Sequence, residues 1–195
     1  FKITHEIDHI PHAILRKMKL RIYKSFFYTA FFTVFIFYSS FSLIRLLTAH
    51  KPDFTIFYLV AQDLIQKNNP YSDSSLFTVF NYPPVSALFF VPFTLFSITL
   101  AQTIFTLLNI VSLFIIVVLS LRILQKKVTL AHYLFFVAVS FLFFPTKFTL
   151  GMGQTNLIAY TALLGSYYFY KKKKSVHSGI FFAFACILKP VLGIM

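Results

Sequence analysis

Long apolar runs alternate along the chain with short polar, basic or proline-containing segments. The first apolar run covers residues 25–47, and at 1.5 Å per residue it is long enough to cross roughly 30 Å of hydrocarbon. Four further runs cover residues 101–124, 130–144, 156–170 and 178–195. The pattern predicts an all-α polytopic membrane protein with about five transmembrane helices.

The composition excludes the soluble classes of protein. The mean hydropathy is +0.78, 58% of the residues are apolar and 28 are phenylalanine, which is more apolar surface than a soluble domain of this size hides from water. The formal net charge of +13 does not indicate nucleic-acid binding, because the cations are not spread over one polar face. They lie in clusters at the ends of apolar runs, at residues 16–24, 122–127 and 171–174.

These basic clusters predict the topology, because Lys and Arg are enriched at the cytoplasmic ends of membrane spans. A basic N-terminal segment, residues 1–24, is predicted to be cytoplasmic, and the loop of residues 48–84 to be external. The remaining chain, residues 25–195, forms the predicted transmembrane domain. We expect that domain to be incomplete at its C-terminus, because the chain ends inside an apolar run.

Three of the five carboxylates, Asp53, Asp63 and Asp73, lie in the external loop. Ionisable groups close to a bilayer are costly to keep, so they are candidates for chemistry. Asp53 has two interpretations, a catalytic carboxylate or an acid that the N-terminal dipole of a helix stabilises. Asp63 and Asp73 are more typical of solvated loop charges.

The sequence of the external loop and of the residues just after it also predicts short helices. Apolar residues recur at helical spacing from Asp53 onward, with Tyr58 on the opposite side and Pro52 in the first turn, which predicts a helix lying in the membrane interface. Residues 85–96 form a second apolar segment that is too short to span a bilayer. Two juxtamembrane helices are therefore predicted between the first and second spans.

Five short motifs follow one another in a recognisable order. They are Asp53-Phe54, Asn69-Pro70-Tyr71, Tyr82-Pro83-Pro84, Gly153-Gln154-Thr155-Asn156 and Leu188-Lys189-Pro190. In this order and spacing the chain resembles glycosyltransferase family 87, whose members use polyprenol-phosphate sugars. The resemblance covers most of the chain, and each motif alone is weak.

The resemblance implies a fold of the GT-C type, in a bacterial plasma membrane, with the active site on the external face. It implies that a hexose, taken here as mannose, moves from a polyprenyl-phosphate donor to a lipid or glycan acceptor. No cluster of metal ligands lies on the predicted external side of the sequence, so neither a metal nor a cofactor is expected. The residue that matches the family's catalytic base is Asp53. A base of this kind takes the proton from the acceptor hydroxyl as it attacks the anomeric carbon.

Lys189 and the 153–156 motif are further candidates for the donor site. A lysine near the outer end of an apolar segment either binds an anion, here the leaving phosphate, or extends its ammonium to the interface. Gln154 and Asn156 are candidates for shaping the site at a helix N-terminus. Simple N-capping by Thr155 or Asn156 explains the polar residues nearly as well.

Tyr71 and Tyr82 are candidates for stacking on a sugar. They fit equally the aromatic belt that membrane proteins place at the interface. His50, three residues before Asp53, is a possible neighbour of the external site or an ordinary interfacial histidine.

One motif is treated as a coincidence. Residues 5–9, with the sequence HEIDH, match the zinc-protease pattern H-E-x-x-H by letter, but Pro11 follows closely and no third ligand is placed. Two other functions stay open beside the glycosyltransferase. They are a transporter or flippase of lipid-linked sugars, which should have broken helices in paired halves, and a multispan subunit without activity.

Overall fold

The structure, a computed structural model, describes residues 12–69, 71, 80–124 and 129–193. The chain divides into two compact units, Phe1–Ile44 and Arg45–Met195. The described part of the first unit belongs to helix α1, which covers His12–Thr48. In α1 the hydroxyls of Thr29, Thr33 and Ser40 donate to the carbonyl oxygens four residues earlier, so these polar groups are satisfied within an apolar helix.

The second unit is also helical, and no strand occurs among the residues that the structure describes. Its helices are α2 (Pro52–Ile65), α3 (Pro84–Leu88), α4 (Ile98–Ile123), α5 (Leu130–Leu142), α6 (Phe144–Met152), α7 (Asn156–Lys171) and α8 (Ser175–Leu188). Two 3-10 helices, Val91–Leu95 and Pro190–Gly193, lie after α3 and after α8.

A cluster of phenylalanine rings joins α2 to the short helices and to α4. The ring of Phe54 lies 5.7 Å from Phe90, 5.8 Å from Phe93 and 4.9 Å from Phe105, measured between centroids. All four side chains are buried, and aromatic pairs at such distances add to the free energy of apolar burial. This core fixes the N-terminal turn of α2, where Asp53 lies.

Small and hydroxyl-bearing residues join α4, α7 and α8. Thr161 of α7 donates its hydroxyl to the carbonyl of Ser112 in α4 at 3.2 Å. Gly165 of α7 leaves room for a ring of α8, because a Cβ at this position would lie 2.9 Å from Phe181 Cδ1. Close approach of this kind is typical of helix pairs in membranes, where small residues let the backbones pack.

The predicted number of about five transmembrane helices is wrong for the described residues. Two helices are long and apolar enough to cross a membrane, at Arg16–Tyr38 and Ile98–Ile123, or three if α5 and α6 form one bent span. The physical reason is length: α7 has 16 residues and α8 has 14, whereas a straight span needs about 20.

The bend between α5 and α6 was not predicted either. The two helices meet at 67°, with Pro145 in the first turn of α6, because proline suits that position but not a helix interior. The stretch 146–155, which lies between two of the predicted spans, is therefore mainly α6, and only residues 153–155 connect it to α7.

The other helices lie where the sequence predicted them, or begin and end at different residues. Helix α2 begins at Pro52, as predicted, and α4 matches the second predicted span. The first candidate span starts at Arg16 rather than at residue 25, and the segment 85–96 is divided into α3 and a 3-10 helix. Tyr58 was predicted on the polar side of α2, yet it is buried and its hydroxyl donates to the carbonyl of Phe96 at 2.9 Å.

Candidate active site

Asp53 lies in the first turn of α2 and is oriented by an amide from a distant part of the chain. The Nε2 of Gln154 donates to Oδ2 of Asp53 at 2.8 Å. Among the described residues, the other carboxylate oxygen, Oδ1, makes no hydrogen bond. Gln154 thus holds one of the two carboxylate oxygens in place.

Gln154 is itself fixed by a short chain of hydrogen bonds between α6 and α7. The Nδ2 of Asn156 donates to Oε1 of Gln154 at 2.7 Å and to Oγ1 of Thr149 at 3.2 Å. Because Gln154 accepts from Asn156 through its oxygen, its amino group faces the carboxylate of Asp53. N-capping does not explain these residues: Thr155, the N-cap of α7, makes no side-chain capping bond, and the amide of Asn156 serves Gln154 and Thr149.

Lys189 reaches the same place from the C-terminal end of α8. Its Nζ donates to the hydroxyl of Tyr82 at 3.0 Å and lies 5.6 Å from the centre of that ring. Two hydroxyls hold the end of α8: Ser86 donates to the carbonyl of Ile187 at 2.6 Å, and Thr155 to that of Leu188 at 3.4 Å. These bonds satisfy carbonyl groups that a helix C-terminus otherwise leaves unpaired.

The carboxylate, the amide and the ammonium line one small cavity of about 160 Å³. A cavity of roughly 150 Å³ holds a six-membered ring. The lining residues are Asp53, Ile56, Phe57, Phe80, Asn81, Tyr82, Gln154, Thr155 and Lys189. Aromatic faces beside a few polar groups are typical of small-molecule sites.

A second, larger cavity of about 720 Å³ adjoins this site. Its walls come from α4, α5, α6, α7 and the 3-10 helix after α8, and they are mainly apolar, with Leu113, Ile116, Val139 and Leu157 among them. Lys189 lines both cavities, and Asn156 lines the larger one. Lys189 therefore borders both the small cavity and the larger, mainly apolar one.

Glycosyltransferase family 87 matches residues 80–195, more than half of the chain. The chain belongs to this family. Family membership and the apolar helices together make the protein a membrane glycosyltransferase. The comparisons with curated proteins and with solved structures gave no match.

Within this family 87 protein, the matched segment contains four of the residues that the sequence analysis named as site candidates. They are Tyr82, Gln154, Asn156 and Lys189. Asp53 precedes the matched segment, so its place in the site depends on the hydrogen bond to Gln154 and on the shared cavity.

Tyr71 lies beside the site of the glycosyltransferase rather than in it. Its hydroxyl donates to the carbonyl of Tyr82 at 3.0 Å, and its side chain is exposed. His50 is exposed as well. Asp63 lies near the other end of α2, where Asn68 Nδ2 donates to its Oδ1 at 3.3 Å, and it does not line either cavity.

Two of the sequence hypotheses lie outside the described residues, namely Asp73 and the zinc-like motif at residues 5–9. In the part of the chain that the structure describes, no group of three or more His, Cys, Asp or Glu side chains is arranged to hold a metal ion.

Sequence reasoning missed Lys51. Lys51 is fully buried at the start of α2, and its Nζ donates to the carbonyl of Leu150 in α6 at 3.1 Å. Burial lowers the pKa of its ammonium group. The available signal was electrostatic: a cation is unfavourable at a helix N-terminus, so a lysine there needs another partner.

Proposed function

We propose that this family 87 protein transfers a hexose, by the family resemblance mannose, from a polyprenyl-phosphate donor to an acceptor hydroxyl, with Asp53 as general base. The observation that supports it is the shared cavity of a carboxylate, an amide and an ammonium group. The three groups come from positions far apart in the chain, at Asp53, Gln154 and Lys189.

The proposed reaction assigns one proton transfer and one bond exchange to this cavity. The acceptor hydroxyl donates its proton to Oδ1 of Asp53 while its oxygen bonds to the anomeric carbon of the donor sugar. The bond from that carbon to the phosphate oxygen breaks, and the electron pair leaves with the lipid phosphate. Gln154 keeps the carboxylate in the orientation that proton transfer requires.

Lys189 is the proposed partner of the leaving phosphate. Charge develops on the phosphate oxygen as the sugar leaves, and an ammonium group close to that oxygen stabilises the transition state. The hydrogen bond to the hydroxyl of Tyr82 holds Nζ at the edge of the small cavity. An ammonium group has three N–H donors, so in the complex Lys189 would bind the phosphate while it keeps its hydrogen bond to Tyr82.

The larger cavity supports a donor with a long hydrocarbon chain. It is apolar, and Lys189 lies at the point where it meets the small cavity. A lipid phosphate bound in this way would keep its chain in the apolar cavity, its phosphate at Lys189 and its sugar beside Asp53. The basic clusters of the sequence support an external position for the site.

The variant Asp53→Asn tests the proposal. It keeps the size of the side chain but removes the base, so we expect transfer to fall about 10²- to 10⁴-fold with unchanged amounts of folded protein. The measurement is transfer of radiolabelled mannose from polyprenyl-phosphate mannose in membranes that contain the full-length protein. Asp63→Asn, on the same helix but outside both cavities, is the matched control and should keep wild-type activity.

The result also separates the alternatives. A transporter or a subunit without activity does not need a base, so translocation of the lipid-linked sugar, or assembly, would survive in Asp53→Asn. Full transfer activity in this variant would refute the assignment of Asp53.

A further inference from the structure

The buried ammonium group of Lys51 joins the beginning of α2 to the end of α6. Its Nζ donates to the carbonyl of Leu150, in the last turn of α6, at 3.1 Å. That carbonyl belongs to the negative end of the helix dipole, which favours a cation. The main-chain carbonyl of Lys51 accepts hydrogen bonds from both the N–H and the hydroxyl of Thr55, at 2.9 and 2.8 Å, so the residue is also fixed to the first turn of α2.

The stem of Lys51 packs against the turn that presents Gln154. Gly153 ends α6 in the left-handed conformation, with φ +72°. A Cβ on Gly153 would lie 2.9 Å from Lys51 Cβ and 2.8 Å from Phe54 Cβ, closer than carbon atoms pack. The glycine therefore allows the backbone before Gln154 to lie directly on the residues that flank Asp53 in sequence.

Two connections thus exist between the same two segments. One is the hydrogen bond from Gln154 to the carboxylate of Asp53, at 2.8 Å. The other is Lys51, two residues before Asp53, which holds Leu150, four residues before Gln154. Gln154 is consequently joined to the Lys51 side chain through residues 150–154, and Asp53 lies two residues after Lys51 in the same helical turn.

We propose that Lys51 is a positioning residue of the transferase, which holds the end of α6 against α2 so that Gln154 meets Asp53. It is not proposed to contact substrate, because its side chain is fully buried and its ammonium is directed at Leu150. The inference depends on the proposed role of Asp53.

The test is a double-mutant cycle between Lys51 and Gln154 in the full-length protein. Lys51→Met keeps the length and packing of the stem and removes the ammonium group. Misplacement of a reacting group by about 1 Å lowers a rate up to about 10²-fold, so we expect kcat to fall about 10- to 100-fold while KM for polyprenyl-phosphate mannose stays within about threefold of the wild type.

The decisive comparison is the double variant. If Lys51 acts through Gln154, then Lys51→Met combined with Gln154→Ala has the same kcat as Gln154→Ala alone, because the second change removes nothing further. Lys51→Arg, which keeps a cation able to donate to Leu150, should have a higher kcat than Lys51→Met. Lys67→Met, which changes an exposed lysine beyond the other end of α2, is the matched control and should behave as the wild type.

Four results would overturn the inference. They are an unchanged kcat in Lys51→Met, independent and multiplying losses of kcat in the double variant, a loss confined to KM, and loss of the folded protein in both Lys51→Met and Lys51→Arg, which would assign Lys51 to stability alone. Asp53→Asn is measured in the same series. If that variant keeps its activity, the proposed function fails, whereas its inactivity together with a normal Lys51→Met refutes only the positioning role.

Discussion

At the scale of single residues, the candidate site depends on hydrogen bonds in which the chemistry of each side chain decides which group donates and which accepts. A carboxylate accepts only, so Gln154 presents its amino group to Asp53 and its oxygen to Asn156. These three residues were predicted from their motifs because each is polar beside an apolar segment. Lys51 was not predicted, because its unfavourable position at a helix N-terminus indicates only that it needs a partner and does not identify the carbonyl of Leu150 as that partner.

Removal of the Tyr82 hydroxyl tests whether its hydrogen bond positions the ammonium group of Lys189. Tyr82→Phe keeps the ring, which packs 5.1 Å from Phe57, and removes the oxygen that accepts from Lys189 Nζ. A hydrogen bond to a charged group contributes about 1.5–3 kcal/mol, so we expect kcat/KM for polyprenyl-phosphate mannose to fall about tenfold or more.

The control for that variant is Tyr71→Phe. The hydroxyl of Tyr71 donates to the carbonyl of Tyr82, outside the cavity, and its loss should change kcat/KM by less than about twofold, as at most exposed positions. Equal effects of the two variants would contradict a special role for the Tyr82 hydroxyl.

At the scale of elements, helices with a clear apolar period were predictable and breaks between them were not. Helix α2 follows the 3.6-residue pattern, α4 is a long apolar run, and both lie close to their predicted positions. The bend of 67° between α5 and α6 is set by Pro145 together with the packing of α6, and an apolar run alone does not reveal it. The C-terminal end of α8 is likewise fixed by tertiary partners, Ser86 and Thr155.

Ser86→Ala tests the link from α3 to α8. It removes the hydroxyl that donates to the carbonyl of Ile187 at 2.6 Å. The loss should lower the free energy of unfolding by about 1 kcal/mol or more. We expect a lower Tm in detergent and, because Lys189 follows two residues later, a higher KM for polyprenyl-phosphate mannose.

Thr103→Ala is the control for Ser86→Ala. The hydroxyl of Thr103 donates at 3.0 Å within its own helix, to the carbonyl of Thr99, at an exposed position. It should leave both Tm and KM unchanged. An unaltered KM in Ser86→Ala would show that the end of α8 does not need this bond to place Lys189.

At the scale of the whole molecule, membrane character was evident from composition, but the number of spans was not. An apolar run indicates only that its side chains are kept away from water. A membrane span does this, and so does a short helix packed within a bundle. The convergence of Asp53, Gln154 and Lys189 on one cavity depends on contacts between residues about a hundred positions apart. The family motifs indicated that these residues share a site, while the periodicity of the chain did not.

The large apolar cavity leads to a prediction about chain length. Ser140 of α5 lines this cavity and is half-buried, so Ser140→Phe adds a ring to a space of about 720 Å³. If the polyprenyl chain occupies this space, the ring competes with several CH₂ groups, each of which contributes about 0.8 kcal/mol on burial. We therefore expect KM for a long-chain polyprenyl-phosphate mannose to rise about tenfold, while KM for an analogue with a single isoprenoid unit stays the same. Leu134→Phe, an exposed position on the same helix outside the cavity, should change neither value. Equal shifts for the two donors would instead show that the added ring disturbs the sugar or phosphate site, and the lipid chain would have to bind elsewhere.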